Sequence, residues 1–314
     1  MKYSKYCSYC GTENYPLLKY CINCGSVLKS RRIKDGAEYN DSDTFFTNEN
    51  LSKLVDTELT EDIYNKIIRS IRDMGLMNLN RYSNEPCLNK LIKLVKQYSK
   101  VGYDKADGVY GYYNYNSIYI DNDLNESMKI CTLIHELSHH LFSEIFEQLI
   151  MYFLDSRKTD FIEGFVAYMV LIDQYHKVAN EYLAYTCEGY FTNNIAKDYE
   201  SVVQILAMNN LDSNIVEQMY VLGNSIADDV INILKTFFDE NFLKEINYIF
   251  KKDHMIPSTG HSELNNKPKY KTGKEKMKAI KSITINTFNE LSQSPSGIIT
   301  VYMLSGNFEQ ANRG

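Results

Sequence analysis

Between Asn125 and Phe153 the chain runs without a glycine or a proline, the two residues that most readily end or bend a helix. Within that run Ile130, Leu133, Ile134, Leu137, Leu141, Ile145 and Leu149 recur at helical spacing, which predicts a well-buried amphipathic helix. Residues four apart on a helix lie on one face, one turn above the other. His135 and His139 stand at that interval, with Glu136 beside the first and Leu137-Ser138 between. Two imidazoles are therefore expected to reach one metal ion, with a carboxylate adjacent to take a proton from a metal-bound water. Upstream, residues 110–120 are rich in aromatic and β-branched side chains and alternate in part, and Asp121-Asn122-Asp123 follows as turn chemistry. The predicted order is strand, loop, motif helix.

A catalytic zinc takes three protein ligands and keeps a fourth position for water. A second helix is expected at 160–168, where Glu163 is an acid inside an otherwise apolar run. Such an acid is costly to bury unless it is paired or bound to metal, so Glu163 is the expected third ligand. Ala167, one turn later, would let the two helices approach closely. Asp160 is a candidate acceptor behind a zinc histidine. Tyr168, His176 and Tyr190 are candidates for stabilising an oxyanion. His140 is expected to point about a quarter turn from His139, into a supporting or solvated position.

His135, Glu136, His139, Glu163 and Ala167 together resemble the pattern of the gluzincin metallopeptidases, in which H-E-x-x-H is followed on the next helix by Glu and then a small or acidic residue. The strand-loop-helix order is similar to the ImmA/IrrE-like peptidases. The Glu163-Gly164 pair after a cysteine module resembles the ubiquitin-activated LIM-domain peptidases. The metzincin extension is absent, because Gly and His do not follow His139 at the required offsets. The resemblance implies an α+β fold with a mostly helical zincin-like core and a small sheet. It also implies a zinc-dependent metalloendopeptidase acting on a protein or peptide substrate, with Glu136 as the catalytic base.

Seven cysteines divide into a pattern and a remainder. Cys7, Cys10, Cys21 and Cys24 form C-x2-C-x10-C-x2-C, with Gly11 and Gly25 directly after the pairs. Two such knuckles clamp a tetrahedral ion, and a closed four-cysteine site supplies folding energy to a segment too short for its own core. Residues 1–28 are thus expected to form a zinc ribbon with a structural zinc. Two disulfides in a secreted module are the alternative, disfavoured because no secretory signal opens the chain. Cys87, Cys131 and Cys187 are scattered and read as small apolar residues.

Of 314 residues, 44% are hydrophobic and 24% charged, enough for one sizeable globular domain and a small module. The expected division is ribbon 1–28, linker 29–50, catalytic domain 51–250, and a polar loop with a helical tail at 251–314. No apolar run approaches a membrane span, so a cytoplasmic protein is expected. Charge is uneven. Residues 1–34 and 267–281 each carry seven basic residues against one acid, net +6, leaving −17 for residues 35–266 in a chain of total −6. A basic ribbon interleaved with Tyr3, Tyr6, Tyr9, Tyr15 and Tyr20 would suit nucleic acid or an acidic partner. The rival class is therefore a ribbon-anchored nucleic-acid- or protein-binding module whose zincin core is inactive.

Overall fold

The computed structural model describes residues 5–6, 13–14, 45–76, 85–104, 110–192, 200–208, 210–255 and 268–307. Cys7, Cys10, Cys21 and Cys24 lie outside these residues. Of the expected ribbon, β1 (Lys5–Tyr6) pairs antiparallel with β2 (Glu13–Asn14), setting Lys5 against Asn14 and Tyr6 against Glu13.

The glycine- and proline-free run forms α4 (Glu126–Phe153). Asn125 starts it by accepting from the backbone N–H of Met128 at 2.9 Å, the cap that satisfies a donor the first turn leaves open. Nearly every face of α4 is covered, and Ile130, Leu133, Ile134, Leu137, Leu141, Ile145 and Leu149 are all 0% exposed. Around it pack α1 (Asn48–Asp56), α2 (Glu61–Leu76), α3 (Cys87–Tyr98), α5 (Asp160–Ala167), α6 (Gln174–Phe191), α8 (Ser213–Lys235) and α9 (Glu240–Lys252). The helix α7 (Glu200–Met208) lies on α6. A π-helical turn, Tyr168–Ile172, joins α5 to α6, and Asp173 caps α6 by accepting from His176 N–H at 2.8 Å.

The sheet has three strands, β3 (Lys100–Tyr103), β4 (Gly111–Asn114) and β5 (Ser117–Ile120), in the order β3-β5-β4. β3 runs parallel to β5 and β4 antiparallel to it. The stretch expected as one strand is thus a hairpin, turned at Tyr115-Asn116, with Tyr115 at φ 47°. Among the described residues β4 is an edge strand, and it packs on α4.

Two stretches expected outside residues 51–250 pack into the same hydrophobic core. Phe45 and Phe46, near the end of the expected linker, meet the rings of Phe165 and Phe288, and Phe45 also stacks on Phe161 at 5.6 Å. In the expected tail, α10 (Gly273–Ser292) buries Met277, Ile280, Phe288 and Leu291, while α11 (Pro295–Asn307) packs along α5. The composition is that of a mostly helical α+β fold. No helix among the described residues is long and apolar enough to cross a membrane.

Candidate metal centre

The centre forms where α4 crosses α6. The two helices run antiparallel: His135 meets Tyr185 and Glu188, His139 meets Glu181, and Phe146 meets His176. Contacts advance along one helix as they recede along the other, so α6 presents its acids to α4 in a fixed register.

His135, His139 and Glu181 each offer one ligand atom within 4.8 Å of the others. The Nε2 atoms of both imidazoles stand 3.6 Å from the Glu181 carboxylate, His135 against Oε2 and His139 against Oε1. That is too long for a hydrogen bond. It suits ligands around one small ion, since bonds of about 2.0–2.1 Å in a tetrahedron set ligand atoms roughly 3.4 Å apart. Glu181 Oε2 is buried without a hydrogen-bond partner among the described residues, which a bound cation would remedy. The residues present therefore fit a metal ion.

The supporting contacts also come from α6. His135 donates from Nδ1 to Glu188 Oε2 at 3.0 Å, which aims its Nε2 lone pair at the cluster and fixes the tautomer. Asn180 holds its amide beside His139 without closing a hydrogen bond to Nδ1. Tyr185 sets its ring 4.5 Å from that of His135, and Tyr113 of β4 stacks over His139 at 6.2 Å.

Electrostatics favour a cation. Glu136, Glu181 and Glu188 bring three carboxylates to two imidazoles, with Glu136, Glu188 and His139 buried and His135 and Glu181 half-buried. Burial raises the Glu136 carboxyl to about 8, with Glu181 and Glu188 adding to the shift and His135 opposing it. Burial lowers His139 to about 4 against the pull of Glu181, so this imidazole is neutral near pH 7, the form that binds metal. Burial works against His135 carrying charge as well, but the negative charge of the facing Glu181 and the hydrogen bond to Glu188 outweigh it and hold its pKa well above the usual value. Glu181 resists its own desolvation and stays low because both imidazoles face it. Without metal, the proton on His135 partly answers the excess negative charge. A divalent ion answers it more fully.

Glu163, the expected third ligand, is not in the cluster. It is buried in α5, where Lys158 reaches its Oε1 at 3.0 Å and Glu147 Oε1 at 2.8 Å. The physical requirement that an acid in an apolar run find a partner is met by a lysine from the α4–α5 loop. Gly164, beside it, serves packing: a Cβ there would sit 2.3 Å from the Val301 carbonyl of α11. Asp160 lies in the first turn of α5 and bears on Glu163; the acceptor behind a histidine is Glu188 instead. Tyr168 belongs to the π-helical turn, and its carbonyl accepts from Asp173 N–H at 2.9 Å. His176 donates from Nδ1 to Asp173 at 2.7 Å and packs edge-on against Phe146. Tyr190 is 51% exposed, with Lys235 over its ring. His140 is not solvated: it is 5% exposed and donates from Nδ1 to the Tyr115 carbonyl at 3.3 Å. Cys131 is buried, and desolvation together with Glu188 keeps it a thiol.

Glu181 and Glu188 escaped the sequence reading, although a signal was present. They stand seven apart, hence on one face of a helix whose neighbouring positions Leu183, Ala184 and Cys187 are apolar. Comparisons with protein-family models, curated proteins and solved structures found no match to this chain.

Proposed function

We propose that this chain is a zinc-dependent metallopeptidase of gluzincin type, with His135, His139 and Glu181 as metal ligands and Glu136 as general base. The observation that carries the reading is the pair of 3.6 Å separations joining the Nε2 atoms of two imidazoles on α4, the helix that also bears Glu136, to the two oxygens of one half-buried carboxylate on α6. Two imidazoles and a carboxylate suit zinc among the common divalent ions. A zinc ion bound there supplies Lewis acidity, bringing a water's pKa toward neutrality and polarising a carbonyl.

The chain's own residues do the rest. Glu136 accepts a proton from the attacking water and returns it to the leaving nitrogen. Its raised pKa is set in the absence of a cation, and a positive charge beside it draws the value down into the range of a base working near neutral pH. Glu188 holds the His135 tautomer. Among the described residues no strand pairs with the outer edge of β4, an edge that would offer backbone groups to an extended peptide, and Tyr113 of that strand lies over His139, so a peptide pairing there passes beside the ligands. Cys7, Cys10, Cys21 and Cys24 are proposed as a second, structural zinc site in a ribbon that recruits substrate or partner.

Metal analysis joined to one base variant tests this. We expect about two zinc ions per chain, one fewer in Glu181→Ala and one fewer in Cys7→Ser. Glu136→Gln should keep its metal while cleaving unfolded casein at least 100-fold more slowly, the usual scale of general-base loss. A count unchanged by Glu181→Ala sinks the ligand assignment. A Glu136→Gln variant as active as the parent sinks the peptidase.

A further inference from the structure

Beside the metal-facing side of α4, about a quarter turn round the helix, lies a buried polar chain that the proposed reaction does not use. Tyr115, at the turn of the β4–β5 hairpin, is 2% exposed and donates its hydroxyl to Glu147 Oε2 at 2.7 Å. Glu147 sits on α4 two turns beyond His140 and is 3% exposed. Its other oxygen meets Lys158, which also reaches Glu163. The Tyr115 carbonyl meanwhile accepts from His140 Nδ1. One residue of the hairpin turn is thus tied twice to the motif helix, through the neighbour of a candidate ligand and through a carboxylate two turns away.

This arrangement is an unusual way to stabilise a turn. Tyr115 holds φ at 47°, a region that a bulky side chain adopts only when its surroundings impose it. A glycine or asparagine would make the turn without strain. Buried ion pairs, too, stabilise less than packed apolar side chains of similar volume. What such a network secures is position. β4 ends one residue before Tyr115, and the same strand carries Tyr113 over His139.

From this we infer that Tyr115 and Glu147 form a clamp that fixes the height of edge strand β4 above the metal centre, making both positioning residues for the extended substrate. The inference rests on the proposed peptidase reading. It differs from that reading in requiring that the clamp act on substrate alignment and leave metal binding and the chemical step alone.

The test uses the zinc-loaded full chain, with fluorescein-labelled casein as the unfolded probe. Tyr115→Phe keeps the ring and removes only the hydroxyl. We expect KM for casein to rise at least five-fold, kcat to stay within two-fold, and zinc content to be unchanged. Without substrate, hydrogen exchange at the β4–β5 ladder amides should accelerate about ten-fold, while amides of α6 and α8 keep the parent rates. Glu147→Gln, which keeps size and an acceptor oxygen, should restore part of both effects relative to Glu147→Ala, and serves if Tyr115→Phe does not fold. A parallel fall in kcat and zinc content, or faster exchange spread evenly over the molecule, overturns the clamp. Should the parent chain leave casein intact, the peptidase reading fails on that probe, and localised or uniform exchange still decides for or against the clamp.

Discussion

Glu181 and Glu163 are chemically the same residue, and their neighbours give them different tasks. Lys158 neutralises Glu163, whereas Glu181 has two imidazoles 3.6 Å away and a buried oxygen with no hydrogen-bond partner among the described residues. Glu163→Gln should therefore leave metal affinity within about two-fold of the parent, while Glu188→Gln, which weakens the acceptor behind His135, should lower it roughly 10- to 100-fold. Competition with a chromogenic chelator reads both, and comparable losses in the two variants would contradict the assignment. His140 carries a pH signature. Burial lowers its pKa from 6.5 to about 4, so the unfolded chain binds a proton there more readily than the folded one. Its contribution to stability is present above pH 6.5 and is lost as pH falls toward 4, about 3 kcal/mol at 1.36 kcal/mol per unit. Urea unfolding of metal-free protein should show a shallower acid decline in His140→Phe than in the parent. Equal slopes would mean that His140 does not stay neutral in the fold.

At the scale of elements, the centre depends on how closely α8 presses on α6. A Cβ at Gly223 of α8 would lie 2.4 Å from the carbonyl oxygen of Ala179, which is backbone and cannot swing aside. Ala179 is two residues from Glu181, so displacing α6 here also displaces the carboxylate. Gly223→Ala should destabilise the fold by about 1–3 kcal/mol and weaken zinc binding as well, measured by urea melts and chelator competition. A purely local loss of stability with full metal affinity would uncouple the two helices. Helix starts follow local chemistry. Asp212 caps α8 and Asn125 caps α4 as their types predict. The hairpin was not legible, because its turn is formed by Tyr115 in a conformation that glycine or asparagine ordinarily marks.

For the molecule as a whole, the lysine-rich stretch at 268–281 is part of the architecture. Lys269 pairs with Asp228 at 2.6 Å, Lys281 donates to the carbonyls of Val55 and Thr57, and Lys276 joins Asp229 and the Ser225 carbonyl. Asp229 also accepts from Tyr64 at 2.8 Å, so one carboxylate links α2, α8 and α10. Lys276→Met should cost about 2 kcal/mol, because it leaves a largely buried carboxylate short of its cation. Wild-type stability in that variant would show that the Lys276–Asp229 pair adds nothing to the fold. The sequence by itself determined the long helix, its H-E-x-x-H face and the mostly helical α+β character, because periodicity, caps and motif spacing act within a few residues of chain. Only the tertiary structure decided which carboxylate completes the cluster. No local rule governs how far along the chain a third ligand lies, and the choice followed from the antiparallel register of α4 on α6 and from a loop lysine that had already claimed Glu163.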